Sequence, residues 1–183
     1  MPSTAAVSDA LDTVLPPKLI EAARRVVEAS RAAGLRLAVA ESCTGGLVTA
    51  ALTEIPGSSD VLEAAFVTYS NESKIALLGV SEDVVETFGA VSIAVAWGMA
   101  QGALKRCSAD TAVAVTGIAG PGGGTDKKPV GTVIFARARR SADPKEIVAD
   151  TKHFGDLGRG GVRLQAALCA LELLMPVEKG EAG

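Results

Sequence analysis

Leu19, Ile20, Ala23, Val26 and Val27 fall on one face of a 3.6-residue repeat, and the small Ser30 extends the stripe by one step. This predicts a helix over residues 17–34, entered through Pro16-Pro17 and stopped by Gly34. Residues 35–40 are mostly apolar and too few for a helix, so they read as a buried strand. Residues 45–54 return to helical spacing until Pro56-Gly57 ends them. Residues 61–69 fit a second strand. Residues 71–78 predict a short helix, and Ser81 is placed to cap another that runs to about Phe88. Residues 92–107 form a longer helix rich in Ala and Gly, so some element must pack closely against it. Residues 111–116 form a continuous apolar run with β-branched residues, a third buried strand. A glycine-rich loop follows over 118–129. Residues 130–139 and 146–154 alternate as strands, and the linker 141–145 holds Asp143-Pro144, so they predict a late β-hairpin. Residues 161–174 close the chain as an amphipathic helix.

Strands alternating with helices predict a three-layer α/β/α sandwich, and the late hairpin makes its sheet mixed. No internal repeat is evident. A chain of 183 residues is expected to form one domain, here residues 17–175, with a loose lead-in at 1–16 and a frayed tail at 176–183. The composition is 48% hydrophobic but only 3% aromatic, so the core must be built from Ala, Val, Leu and Ile.

A formal charge of −3 argues against general nucleic-acid binding. No apolar run approaches a membrane span, and the first residues lack the basic start and apolar core of a signal peptide. Cys43, Cys107 and Cys169 are odd in number and lack metal-ligand spacing. They favour a reducing cytoplasm over a disulfide framework.

The richest stretch for chemistry is Ala40-Glu41-Ser42-Cys43-Thr44-Gly45-Gly46, which puts a serine where a strand ends and a helix begins. Helix starts carry unpaired N–H groups, so the stretch suits either a nucleophile that makes an oxyanion or a loop that holds an anion. The one histidine, His153, falls in a predicted strand between Lys152 and Phe154 and reads as an ordinary polar strand residue. A zinc site is not supported, and residues 120–125 fit neither the Walker nor the G-x-G-x-x-G pattern. Serine then needs another base. Lysine serves if burial lowers its pKa. The candidate is Lys74, at the end of the second strand, although spacing alone favours a solvated lysine on a short helix. Tyr69, the sole tyrosine, is either core or an orienting hydroxyl. Cys43 is a rival nucleophile, but its place beside Ser42 would point it into packing.

Thr116-Gly117-Ile118-Ala119-Gly120-Pro121-Gly122-Gly123-Gly124 follows a buried strand, and the N–H groups of such a loop can bind phosphate or an oxyanion. Lys127 and Lys128 add positive charge nearby. Arg159 and Arg163 stand at the start of the last helix, where a cation opposes the helix dipole. Either a bound anion or Asp156 would compensate them.

Together these segments closely resemble the CinA C-terminal domain family, the nicotinamide-nucleotide amidases. The resemblance rests on the Ser42 stretch, Pro56-Gly57-Ser58-Ser59 and Tyr69-Ser70-Asn71-Glu72-Ser73-Lys74. It continues through Leu78-Gly79-Val80, Gly89-Ala90-Val91-Ser92, the loop 116–124 and Lys128-Pro129-Val130-Gly131-Thr132-Val133. It covers residues 17–175 in order and implies the α/β/α sandwich, hydrolysis of the carboxamide of nicotinamide mononucleotide in pyridine nucleotide recycling, and a homodimer. It implies Ser42 as nucleophile, Lys74 as base and Tyr69 in support, with no metal or cofactor. The turn Cys43, Thr44, Gly45, Gly46 would supply the oxyanion hole. Thr116, Gly117, Gly120, Gly122, Gly123 and Arg159 would hold the nucleotide. The family usually reads Gly-Asp-Arg before its last helix. Here Leu157-Gly158 stands between Gly155-Asp156 and Arg159, as a two-residue insertion would. Two other readings remain: a hydrolase of another small amide, and a non-catalytic competence- or damage-associated interaction protein.

Overall fold

The computed structural model describes residues 13–143 and 146–177. Most of the expected lead-in, Pro144 of the expected hairpin linker and the end of the expected tail lie outside them. Among the described residues the chain runs α1 (Pro17–Ala33), β1 (Leu37–Glu41), α2 (Leu47–Thr53), a 3₁₀ turn (Ser58–Asp60), β2 (Leu62–Val67) and α3 (Asn71–Leu78). It continues through α4 (Glu82–Phe88), α5 (Ile93–Arg106), β3 (Thr111–Gly117), β4 (Thr132–Arg139), β5 (Val148–His153) and α6 (Gly158–Leu174). The last helix starts three residues before the expected residue 161, so Arg159 lies in its first turn. Gly34 ends α1 in the left-handed conformation, as the stop signal predicts. Ser81 occupies the cap position of α4 without a side-chain cap bond, whereas Ser92 does cap α5 by accepting from the Val95 N–H.

The five strands form one mixed sheet in the order β2-β1-β3-β4-β5. β1 pairs parallel with β2 and with β3, and β3, β4 and β5 then pair antiparallel. The central strands β1, β3 and β4 are buried on both faces, and strict alternation makes the faces unlike. Leu37 and Val39 of β1, Val113 and Val115 of β3, and Val133 and Phe135 of β4 face α1, α2 and α6. Ala38 and Ala40, Ala112 and Ala114, and Ala136 and Ala138 face α5 with α3 and α4. A flat alanine face lets a helix lie close.

That is the close packing foreseen for the Ala/Gly-rich helix. A Cβ at Gly102 of α5 would overlap the Leu78 carbonyl oxygen at the end of α3, and one at Gly98 would stand 3.3 Å from Val80. Gly102→Ala should therefore force α3 and α5 apart and cost about 1–3 kcal/mol of stability, read as a lower denaturant midpoint. A midpoint equal to wild type would show that the two helices part freely.

Topology also fixes where a site can form. From β1 the chain moves to the sheet edge at β2, then returns to the other side of β1 at β3. This leaves a crevice outside the carboxyl ends of the parallel strands, the common ligand site of open α/β sheets. Glu41, Val67 and Gly117, the last residues of β1, β2 and β3, all end at that edge.

Candidate active site

Ser42 leaves β1 at this edge, with its N–H donating to the Val115 carbonyl at 2.9 Å as a last rung of the sheet. Thr68 extends β2 in the same way, donating to the Glu41 carbonyl at 2.8 Å. Ser70 then starts α3 by accepting from the Ser73 N–H at 3.0 Å. Lys74 sits one turn into α3. Helical side chains lean toward the helix N-terminus, so its stem runs back under the turn to the strand ends. It is only 1% exposed, which overturns the solvated-surface reading of this lysine.

Its amine lies 3.2 Å from Ser42 Oγ. The carbonyls of Thr68, Tyr69 and Ser70 lie 3.0, 3.2 and 3.3 Å from it. Burial pulls the Lys74 pKa below the ordinary 10.5, against smaller opposing effects of Cys43 and Glu72. A neutral amine keeps two N–H donors for two of these carbonyls and one lone pair that can accept the Ser42 hydroxyl proton.

Ser42, Cys43, Tyr69, Lys74, Ala90, Val91, Thr116, Gly117, Ala119 and Arg159 enclose a pocket of about 190 Å³. Cys43 touches it, but its side chain belongs to the Leu/Val core, and burial pushes its thiol pKa up to about 12. The thiolate needed for attack is thereby suppressed. His153 ends β5, where Nδ1 lies 3.2 Å from Thr132 Oγ1. That is three strand spacings from β1, roughly 14 Å, so it is no partner for Ser42.

The phenol of Tyr69 does not orient Lys74. It accepts a hydrogen bond from Arg159 at 2.8 Å, and only the Tyr69 carbonyl meets the lysine. A second Arg159 N–H donates to the Gly120 carbonyl at 2.9 Å. Arg159 thus spans the pocket mouth between Tyr69 and the glycine loop, and its remaining guanidinium donors are available to an anion. Leu157 stands at the cap position of α6 and Gly158 opens the helix with φ 68°. Arg163, the other candidate, donates to the Thr44 carbonyl at 2.8 Å and does not line the pocket.

Thr116 is buried and donates to the Ala90 carbonyl at 3.0 Å, joining the β3 end to the segment before α5. The base of the glycine loop is pinned to β4. Ile118 donates to Thr132 at 2.9 Å, and Gly131 donates to Ile118 at 2.8 Å. The tip therefore projects into solvent, and Gly122 and Gly123 lie there, away from the pocket wall. Gly120 contributes the carbonyl that Arg159 grips.

The Ser42 turn departs most from expectation. Glu41 is fully buried, and its carboxylate accepts from the N–H groups of Gly46, Val48 and Thr49 at 3.0, 3.2 and 2.8 Å. It also accepts from Thr49 Oγ1 at 2.6 Å. Gly45 N–H donates back to the Ser42 carbonyl at 3.0 Å. Gly45 and Gly46 are therefore removed from the oxyanion-hole set. Cys43 and Thr44 keep N–H groups with no acceptor among the described residues. Sequence reasoning missed the anchoring role of Glu41, the contact of Arg163 with the Thr44 carbonyl and the pocket wall at Ala90-Val91. The signal for Glu41 was available: an acid closing an apolar strand just before a helix.

Among the described residues, no group of three or more His, Cys, Asp or Glu side chains could hold a metal ion. No helix among them is long and apolar enough to cross a membrane.

The family model of the CinA C-terminal domain matches residues 20–177. A competence-damage inducible protein of Symbiobacterium thermophilum is 52% identical over 147 residues, which are 77% of this chain and 34% of that protein. The chain spans about a quarter to a third of the length of this and several other curated relatives it matches. The nicotinamide-nucleotide amidohydrolase PncC of Enterobacter agglomerans is 48% identical over 155 residues, 85% of this chain and 92% of that one. The crystal structure of competence/damage inducible protein CihA from Agrobacterium tumefaciens superposes with a TM-score of 0.84 at 48% identity. It covers 88% of this chain and 96% of its own.

Proposed function

The chain belongs to the CinA C-terminal domain family, and from that premise and the Ser42–Lys74 contact we propose that it is a nicotinamide-nucleotide amidase. The reading is carried by one observation: a buried lysine amine 3.2 Å from a serine hydroxyl in a pocket at the strand ends. The similarity to an amidohydrolase over most of both chains supports the substrate class.

Neutral Lys74 takes the proton from Ser42 Oγ as the oxygen attacks the carboxamide carbon. The N–H groups of Cys43 and Thr44 receive the oxyanion, a role worth about 100–1000-fold in rate per donor. The tetrahedral intermediate collapses, the protonated Lys74 gives its proton to the leaving nitrogen, and ammonia departs. Water, activated by the same amine, then cleaves the acyl-serine to release nicotinate mononucleotide and restore Ser42. The pocket admits the pyridine carboxamide, while Arg159 at its mouth binds the phosphate.

Ammonia release from nicotinamide mononucleotide, free nicotinamide and glutamine tests the proposal. The mononucleotide should be hydrolysed most efficiently. Arg159→Met should raise KM for it about 10–100-fold, the scale of a charged hydrogen bond, with little change for nicotinamide. Preference for another small amide would redirect the reading to that substrate. Inactivity of folded protein on every amide would leave an interaction protein instead.

A further inference from the structure

The nucleophile's turn is held from two sides by charged groups that do not line the pocket. On one side the Glu41 carboxylate draws in three N–H groups and one hydroxyl from residues 46–49. On the other, α6 sends Arg163 across to the Thr44 carbonyl. Between them Gly45 and Gly46 both take positive φ, 60° and 92°, a tight path that the two anchors keep in place. A Cβ on Gly45 would stand 3.6 Å from Arg163 Nη2, so the guanidinium lies directly over the turn.

The anchors also decide which N–H groups remain. Glu41 consumes those of Gly46, Val48 and Thr49, and the Ser42 carbonyl takes that of Gly45. In a trans peptide the carbonyl and the next N–H point opposite ways. Fixing the Ser42 carbonyl therefore fixes the Cys43 N–H on the other side.

We infer that Glu41 and Arg163 are positioning residues for Ser42: they hold its hydroxyl against Lys74 and aim the Cys43 and Thr44 N–H groups at the reacting carbonyl. This rests on the amidase reading and deepens it. It also assigns Arg163 away from the phosphate-binding role that its sequence position left open. A positioning residue acts on turnover. A phosphate ligand would act on substrate binding and appear in KM.

The test compares wild type with Arg163→Met, Arg163→Lys and Glu41→Gln as full-length proteins. Two readouts are taken: kcat and KM on nicotinamide mononucleotide, and the rate at which a fluorophosphonate modifies Ser42, located by mass spectrometry. Arg163→Met should lower kcat and the labelling rate together by at least about tenfold, since misplacement of 1 Å costs up to 100-fold. KM should stay within about twofold. Arg163→Lys, which can still donate to the Thr44 carbonyl, should recover part of both rates. Glu41→Gln, which turns one acceptor oxygen into a donor facing other donors, should lower both rates at temperatures where it is folded. A raised KM with unchanged kcat in Arg163→Met would make Arg163 a substrate ligand and overturn the inference, as would wild-type labelling rates in Arg163→Met and Glu41→Gln. If wild type labels but releases ammonia from no amide, the amidase reading fails and the labelling rates alone decide the positioning claim. A wild-type Ser42 that neither labels nor turns over would overturn both.

Discussion

Lys74→Met is expected to lower kcat by roughly 10²–10⁴-fold, the usual contribution of a positioned general base, in a protein that stays folded. Methionine matches the length of most of the lysine stem and is at home in an apolar channel, so the loss would belong to the amine. Ser42→Ala should reduce activity further, to the assay background, because no acyl-enzyme can form. The pH profile gives an independent check. The Lys74 pKa lies below 10.5 because burial disfavours its charged form, and only the neutral amine can take the serine proton. Activity of wild type should therefore rise with pH through a limb centred below 10.5, and Lys74→Met should lose that limb. Linkage gives the matching sign for stability. The unfolded chain binds more protons than the folded one between the lowered pKa and 10.5, so wild type should gain stability relative to Lys74→Met as pH rises through that window. Full activity in Lys74→Met would end the serine–lysine scheme. A limb at or above 10.5 would show that the amine is not desolvated.

Much of this site was legible because its parts obey local rules. Ser42 was marked by a strand-to-helix switch in hydrophobic period, and α3 kept its expected bounds of 71–78 because Ser70 and Gly79 cap it on both sides. The apolar runs of β1 and β3 marked both as buried strands, which their fully buried central residues bear out. What the pattern could not carry was direction. Lys74 reads as a surface lysine until β2 and α3 place its stem inside the fold. Tyr69 stood open between core and an orienting hydroxyl, and the resemblance implied support for Ser42 and Lys74, yet its phenol meets Arg159, 90 residues away. The glycine loop looked uniform, but its hydrogen bonds to β4 sort it into a pocket wall at Gly117 and Ala119 and a solvent-facing tip at Gly122 and Gly123. The partners of the N–H groups after Ser42 were equally invisible, because a carboxylate five to eight residues upstream reaches them only once β1 and α2 are packed.

That carboxylate carries the largest expected effect on stability. Glu41→Ala should cost about 3–5 kcal/mol, comparable to breaking a buried charged network by removing one partner. Three backbone N–H groups and the Thr49 hydroxyl lose their acceptor together. Each unsatisfied buried donor is worth about 1–3 kcal/mol, though water entering the vacated space would recover part of that. α2 has only seven residues, too few to hold together by propensity, and Val48, Ala51 and Leu52 on it seal the core beneath β1. Loosening its first turn therefore exposes apolar surface as well as polar groups. Against a net stability of about 5–15 kcal/mol for a typical domain, the loss is a large share. It should lower the unfolding midpoint by roughly 6–20 °C for a chain of this size. Glu41→Gln should fall between Ala and wild type, since its one remaining oxygen still accepts from one pair of donors. Denaturant or thermal unfolding of the three proteins measures the order. A loss below about 1 kcal/mol in Glu41→Ala would mean that water replaces the carboxylate without penalty, and that the Ser42 turn is shaped by its glycines alone.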